Sequence, residues 1–265
     1  MPGSTGPGAP SRGRYGRCVS ATLTVPARFC GPDDSGNGGW VCGSLAQRTP
    51  MLAVGDGAVE VTLRRPPPLD RELQIDRPPD VVGDGGGEGW LLLDGEHLVA
   101  ESTVSRRPVV APDWVRPSLA EVATEHYLGH VHHPFPHCFV CGTARAPGDG
   151  LRLFPGPVPG MQLTVAAPFI APLDLADGDG HLVSPAVWAA LDCPTIWPYF
   201  GDGTVALLGR MRAVLHRPVP VDTECLVVGR GEGADGRKRF ASAGLYTSTG
   251  ELLAASATTW LTIDP

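Results

Sequence analysis

The chain has 265 residues, 42% of them apolar, a net charge of -7 and a single lysine, Lys238, among 21 basic residues. That length allows one large domain or two small ones with a real core, and 35 Gly and 28 Pro without a Gly-X-Y period exclude collagen and signal many turns. The acidic balance and the lack of a basic run argue against nucleic acid and anionic membranes as partners, and no apolar run approaches the ~18 residues of a membrane span.

Residues 1–17 are rich in Gly, Pro, Ser and Arg with no apolar stretch, which predicts a disordered leader and not a secretory signal. A strand is expected over about 20–26 and an apolar helix over about 36–49. The alternating run 58–64 predicts a strand. The following Arg65-Pro66-Pro67-Pro68 should bend it, because proline cannot donate to a ladder. A Gly-rich loop covers 80–89, and a hairpin is expected over 89–105, turning at Asp94-Gly95. Residues 108–137 read as a connector with a helix over 118–128, preceded by Pro117 and closed by Gly129. Then come a strand over about 161–167, a helix over about 184–197, a strand over 207–216 and a hairpin over 239–263 turning at Thr249-Gly250.

The second part repeats the grammar of the first. The run from Val61 to Asp70 reads on the run from Ala213 to Asp222, each with Arg-Pro-x-Pro, an apolar residue and Asp. The run from Gly95 to Ala100 reads on that from Gly250 to Ala255. Leu23-Thr24-Val25 reads on Leu163-Thr164-Val165, with Phe29 and Phe169 following at equal distance. Matches in one order predict a duplication, with copies at 18–107 and 138–265. Each copy is one helix plus about five strands, so the class is α+β.

Seven cysteines, an odd number, in a chain too large to need disulfide staples predict free thiols and a reducing, cytoplasmic setting. Asp192 ends the apolar run from Ala186, where a charge is costly unless paired or functional. It is either a catalytic carboxylate or a cap on the turn before Cys193-Pro194. Asn37-Gly38-Gly39 opens the first helix, where free amides and the helix dipole suit an oxyanion; the plain alternative is an Asn cap on a loop. Ser184 opens the second helix as a cap or a ligand contact. Gln47 either orients water or lies on the helix surface. Trp40, Trp188 and Trp197 lie on or near the two helices and line a tunnel or fill the core. Cys138 and Cys141 form half of a zinc knuckle beside His126, His130, His132, His133 and His137, but two further ligands at suitable spacing are missing. No Gly-x-Ser-x-Gly elbow supports a Ser-His-Asp hydrolase. The Gly-rich 83–89 run lacks the Lys of a phosphate loop.

Cys138-Phe139-Val140-Cys141-Gly142, followed by Gly150-Leu151-Arg152-Leu153, resembles the opening of a PaaI-type hotdog thioesterase domain. Ala189-Ala190-Leu191-Asp192 resembles that family's helix with its acidic residue, and Gly36-Asn37-Gly38-Gly39-Trp40 the Gly-Gly helix opening of the same superfamily. The Arg217-Pro218-Val219-Pro220 bend and the last hairpin are similar too. The resemblance implies a double hotdog: two tandem repeats, each a long central helix wrapped by an antiparallel sheet, packed as a dimer within one chain. It implies hydrolysis of acyl-CoA or acyl-carrier-protein thioesters, with coenzyme A present only as part of the substrate and no metal required. Asp192 is then general base or nucleophile, and Asn37, Gly38 and Gly39 hold the oxyanion. The chain departs from the pattern in having Leu182-Val183-Ser184-Pro185 where His-Gly-Gly is usual, and Ala46 where the first helix would carry an acid. One asymmetric site per chain follows. Two rivals stand beside this reading. One is an acyl hydratase or dehydratase, with His181 and His216 as its available histidines. The other is a non-catalytic acyl-CoA-binding protein. Exposed sheet edges would also allow a homodimer of double hotdogs.

Overall fold

Turn and proline signals place most element boundaries in the computed structural model, which describes residues 21–49, 57–78 and 89–263. The expected leader over 1–17, and the Gly-rich loop apart from Gly89, lie outside the described residues. In chain order the elements are β1 (Ala21–Thr24), α1 (Gly38–Ala46), β2 (Ala58–Leu63), β3 (Glu72–Asp76), β4 (Trp90–Asp94) and β5 (His97–Ser105). After the connector helix α2 (Pro117–Glu125) come β6 (Gly156–Pro157), β7 (Thr164–Ile170), α3 (Ser184–Ala190), β8 (Ala206–Leu215), β9 (Glu224–Asp235), β10 (Lys238–Thr247) and β11 (Leu252–Thr262).

Both helices that matter begin as the sequence predicts. Asn37 caps α1, its Oδ1 accepting from the Trp40 amide at 2.9 Å. Pro185 sits in the first turn of α3, where its missing N–H costs nothing. Their ends differ from expectation. α3 stops at Ala190 instead of running to 197, because Pro194 has no amide to continue the ladder and its ring would strike the carbonyl one turn back. Two 3-10 turns, Cys193–Thr195 and Trp197–Asp202, take over. Ser184 is not the cap expected of it: the cap position is Val183, with no side-chain hydrogen bond, and the Ser184 hydroxyl is buried without a partner.

Among the described residues the strands form one eleven-stranded antiparallel sheet, ordered β1-β3-β4-β5-β2-β8-β11-β10-β9-β7-β6. The resemblance implies two sheets. They are continuous because β2 and β8, each an inner edge, pair with one another through Val59–Ala213, Glu60–Arg212 and Val61–Met211. From that seam outward the order is β2-β5-β4-β3-β1 on one side and β8-β11-β10-β9-β7 on the other. Glu60 and Arg212 face each other at the seam, 3.1 Å apart.

The two sides share backbone detail as well. At the proline bends, the Arg64 and Arg65 amides both donate to the Val99 carbonyl, and those of His216 and Arg217 both to Leu253. Asp70 and Asp222 both adopt left-handed φ, 50° and 53°, and their amides donate to Val25 and Ala171, each at 2.9 Å. Val25 therefore corresponds to Ala171 and not, as the Leu-Thr-Val match suggests, to Val165. Likewise Val99 corresponds to Leu253 and not to Ala254. Hydrogen-bond geometry sets correspondence here, and short apolar matches do not report it.

α1 lies on β2, β5 and β8 and directly against α3. Every residue of α1 from Gly39 to Ala46 is buried, as a central helix requires. The helices meet at glycine. A Cβ on Gly43 would stand 2.7 Å from Pro185 Cα and 2.8 Å from Trp188 Cβ. Replacing Gly43 with Ala should destabilise the fold by ~1–3 kcal/mol through overpacking. Gly178→Ala, with nothing within 4 Å of its new Cβ, should stay within about 0.5 kcal/mol of wild type. Denaturant unfolding of the two variants checks this; equal midpoints would mean the helices are free to part.

Candidate active site

The helix contact brings the start of α1 against the end of α3. A Cβ on Gly39 would fall 2.6 Å from Asp192 Cβ and 2.8 Å from Ala189 Cα. Because Gly39 has none, Asp192 reaches the α1 backbone. Its Oδ2 accepts from the Gly39 amide at 2.9 Å and from Asn37 Nδ2 at 3.0 Å. Asn37 thus serves twice, with its oxygen capping α1 and its nitrogen on the carboxylate.

Asp192 is 1% exposed, and its Oδ1 is buried with no hydrogen-bond partner. Burial pushes its pKa up to about 7; the Gly39 amide and Asn37 pull it down, while the Cys138 sulfur adds to the rise. The side chain makes no bond to its own turn, so capping is not its role. The turn is held from elsewhere. The Thr195 hydroxyl donates to the Asp192 carbonyl at 2.5 Å and accepts from Trp260 Nε1 at 2.7 Å. Ser256 donates to the Leu191 carbonyl at 3.0 Å. Trp260 and Ser256 both belong to β11, so the strand fixes where the carboxylate stands.

Asp192 opens onto a cavity of about 230 Å³. Its polar end holds Asn37, Gly38, Asp192, Cys138, Cys141 and Cys193. Phe135, Ile196, Trp197, Phe200, Leu208 and Trp260 supply apolar walls. Arg64, Arg65 and Arg237 also line it and are exposed to solvent. The Gly38 amide has no partner among the described residues and borders the cavity.

Of the residues singled out from sequence, Asn37, Gly38, Gly39 and Asp192 converge. Two of the three donors expected for an oxyanion, Asn37 and Gly39, are instead spent on Asp192. Ser184 does not line the cavity. Gln47 is exposed and donates to the Ser44 carbonyl at 3.3 Å. Trp40 and Trp188 are core, and Trp197 is cavity wall. His133 borders the cavity, with Nε2 3.1 Å from the Cys141 carbonyl and Nδ1 accepting from the Phe135 amide; the other connector histidines, and His181 and His216, do not line it. Sequence reasoning missed Cys193, whose Sγ lies 3.7 Å from that of Cys138; its place next to Asp192 was the one signal. Hydrogen bonds from the Cys141 and Cys193 thiols hold Cys138 well below the usual thiol range.

The opposite end of the helix pair has none of this. The positions matching Asn37, Gly39 and Asp192 are Val183, Pro185 and Ala46, which offer no amide side chain, no backbone N–H and no carboxylate.

No protein-family model matches the chain, and no curated protein does. Solved structures do. The tesB protein of Mycobacterium avium subs paratuberculosis is 13% identical over 91% of both chains, with a TM-score of 0.60. The acyl-CoA thioesterase II TesB2 of Mycobacterium marinum is 16% identical over 92% of this chain and 93% of its own, at 0.56. A conserved protein of unknown function with hot dog fold from Alicyclobacillus acidocaldarius is 14% identical over 92% and 93%, at 0.53. The fold of the chain is the hotdog fold.

Asp192→Asn removes a buried charge and keeps a carbonyl oxygen for the Gly39 amide. It should leave the melting temperature unchanged or raise it. Asn37→Ala should cost ~2–4 kcal/mol, from a lost cap and a stripped buried carboxylate. The loss should be smaller in the Asp192→Asn background. A double-mutant unfolding cycle reads the coupling, and additive effects would contradict the Asn37–Asp192 bond.

Proposed function

We propose that the chain is a tandem double hotdog that hydrolyses acyl-CoA thioesters, with Asp192 as general base. The copies would be 18–107 and 138–265, joined by the connector 108–137. Matched strand order, matched proline bends and the paired Asp70 and Asp222 conformations support the duplication. The observation that carries the activity is the state of Asp192: one oxygen pinned by two donors, the other bare, at the polar end of an apolar cavity.

In this mechanism the acyl chain lies along Phe135, Trp197 and Trp260. The thioester carbonyl oxygen points at the Gly38 amide, at the positive end of α1. Asp192 Oδ1 takes a proton from a water molecule while the water oxygen bonds to the carbonyl carbon. The tetrahedral intermediate collapses, the carbon–sulfur bond breaks, and the proton passes to the departing thiolate. Asn37 and Gly39 are positioning residues that hold Oδ2 still. Ser184 has no part in it. The exposed Arg64, Arg65 and Arg237 suit the phosphates of coenzyme A; an acyl carrier protein would present a single phosphate there. The Mycobacterium marinum neighbour, an acyl-CoA thioesterase by name, agrees with this substrate class, although fold alone does not choose a reaction. Coenzyme A enters only within the substrate, and neither nucleic acid nor membrane is a partner. The six cysteines among the described residues are free thiols, which suits a reducing, cytoplasmic setting. Among the described residues β1 and β6 are the outer strands of the sheet, and a homodimer formed by edge pairing would use them.

The test is cleavage across a panel of acyl-CoA chain lengths, read by mass spectrometry. Wild type should cleave at least one member, and Asp192→Asn should lose ~10²–10⁴-fold in kcat while bound acyl-CoA still raises its melting temperature. Stabilisation without cleavage by wild type would instead make the chain an acyl-CoA-binding protein. Full activity in Asp192→Asn would remove the general base. In a second measurement, Arg65→Glu and Arg237→Glu should raise KM for acyl-CoA severalfold and leave kcat near wild type. An unchanged KM would mean the carrier's phosphates lie elsewhere.

A further inference from the structure

Cys138, Cys141 and Cys193 place their sulfurs within 4.8 Å of one another, all three buried. Cys138 and Cys141 come from one tight turn. A Cβ on Gly142 would lie 2.5 Å from the Cys138 carbonyl, so only glycine closes that turn. Cys193 arrives from the far side, on the 3-10 turn that Pro194 forces after α3. The turn bearing the pair is pinned: the Cys141 carbonyl accepts from the Tyr127 hydroxyl at 3.0 Å and lies 3.1 Å from His133 Nε2. Simple packing needs no sulfur here, since apolar side chains of similar size fill such a space. Three soft donors converging on one point are a different matter.

We propose that Cys138, Cys141 and Cys193 bind a thiophilic divalent cation, zinc in the first instance, with the fourth coordination position open to the cavity. Two sulfurs held about 2.3 Å from one tetrahedral zinc stand about 3.8 Å apart. The Cys138–Cys193 separation is already 3.7 Å. Three protein ligands and one open position is the arrangement of reactive zinc sites, whereas structural sites close the fourth position with protein. Asp192 lines the same cavity, and its buried Oδ1, which has no partner, is the free acceptor beside the open position. His133 is not the fourth ligand, because both its ring nitrogens are engaged with backbone. The backbone amides of Val140 and Cys141 and the Asn37 side chain, 3.9 Å away, point at the Cys138 sulfur, which offsets charge gathered by three thiolates and eases their ligation.

The site stands or falls without reference to thioester cleavage, so its readouts are those of the metal. The full chain is stripped with chelator under reducing conditions, then titrated with Zn2+ and separately with Co2+. Wild type should take up one equivalent, gain melting temperature, and with Co2+ show intense near-ultraviolet thiolate-to-metal bands and the visible bands of a tetrahedral ion. Cys193→Ser and Cys138→Ser should weaken Zn2+ binding by well over ~10-fold, since loss of a ligand's outer hydrogen-bond partner alone costs about 10–100-fold. Cys225→Ala, a buried thiol on β9, should bind as wild type. Because a core variant can fail to fold, wild type is also alkylated with and without Zn2+. The metal should protect Cys138, Cys141 and Cys193 together, and chelator should release them. Less than one equivalent bound, unchanged affinity in Cys193→Ser, or protection of any other set of cysteines would overturn the proposal. Absence of metal uptake by wild type would overturn this site and leave the general base of the proposed function standing.

Discussion

Everything in the candidate site depends on how closely α1 approaches α3. The helices touch backbone to backbone at two glycines. Gly39 lies against Ala189 and Asp192, and Gly43 against Pro185 and Trp188. Residue for residue, the contacts mirror each other, since Gly39 corresponds to Pro185 and Gly43 to Ala189. Two half-length helices of ordinary side chains would stand about 8–10 Å apart and leave a carboxylate out of reach of the facing backbone. Here the missing Cβ of Gly39 is the space that Asp192 fills, and the missing side chain is also what leaves the Gly39 amide bare enough to bind it.

That geometry explains why only one of two matched ends became polar. A buried carboxylate costs several kcal/mol unless donors meet it, and the donors must come from the facing helix start. Asn37 and Gly39 supply them at one end. At the other, Val183 and Pro185 do not, and an acid in place of Ala46 would be stranded. The three differences therefore depend on one another: the acid is tolerable only where both donors face it. The result is still under-satisfied, because Oδ1 has no partner. In a core this dense, such an orphan marks a place where a ligand or water belongs.

Much of this is legible in the sequence. Asn37 before a Gly-Gly pair signals a helix start with free amides; Asp94-Gly95 and Thr249-Gly250 signal hairpins; Asp192 stands out as the one charge in an apolar run. These are local signals, carried by backbone chemistry within a few residues. What is not legible depends on distance. The end of α3 is easily overrun because a long apolar run outweighs Pro194. The correspondence of Val25 with Ala171 is hidden because it rests on backbone carbonyls that accept from the Asp70 and Asp222 amides, a bond that leaves side-chain identity free. The joining of β2 to β8 depends on two edges meeting across the seam, which periodicity does not encode. Cys193 is separated from Cys138 and Cys141 by two strands and a helix, so a count of neighbouring sulfurs along the chain stops at two.

The strand beside the seam also positions the candidate site. β11 is bonded to β8 at the centre of the sheet, and from it Trp260 and Ser256 reach the turn that carries Asp192 and Cys193. Trp260 is at once a cavity wall and, through Thr195, a brace on the backbone carbonyl of Asp192. A change in the wall that shifts the indole therefore moves Asp192 and Cys193 with it. The shape of the cavity and the place of Asp192 are therefore coupled through β11, by the Trp260–Thr195 and Ser256–Leu191 hydrogen bonds together.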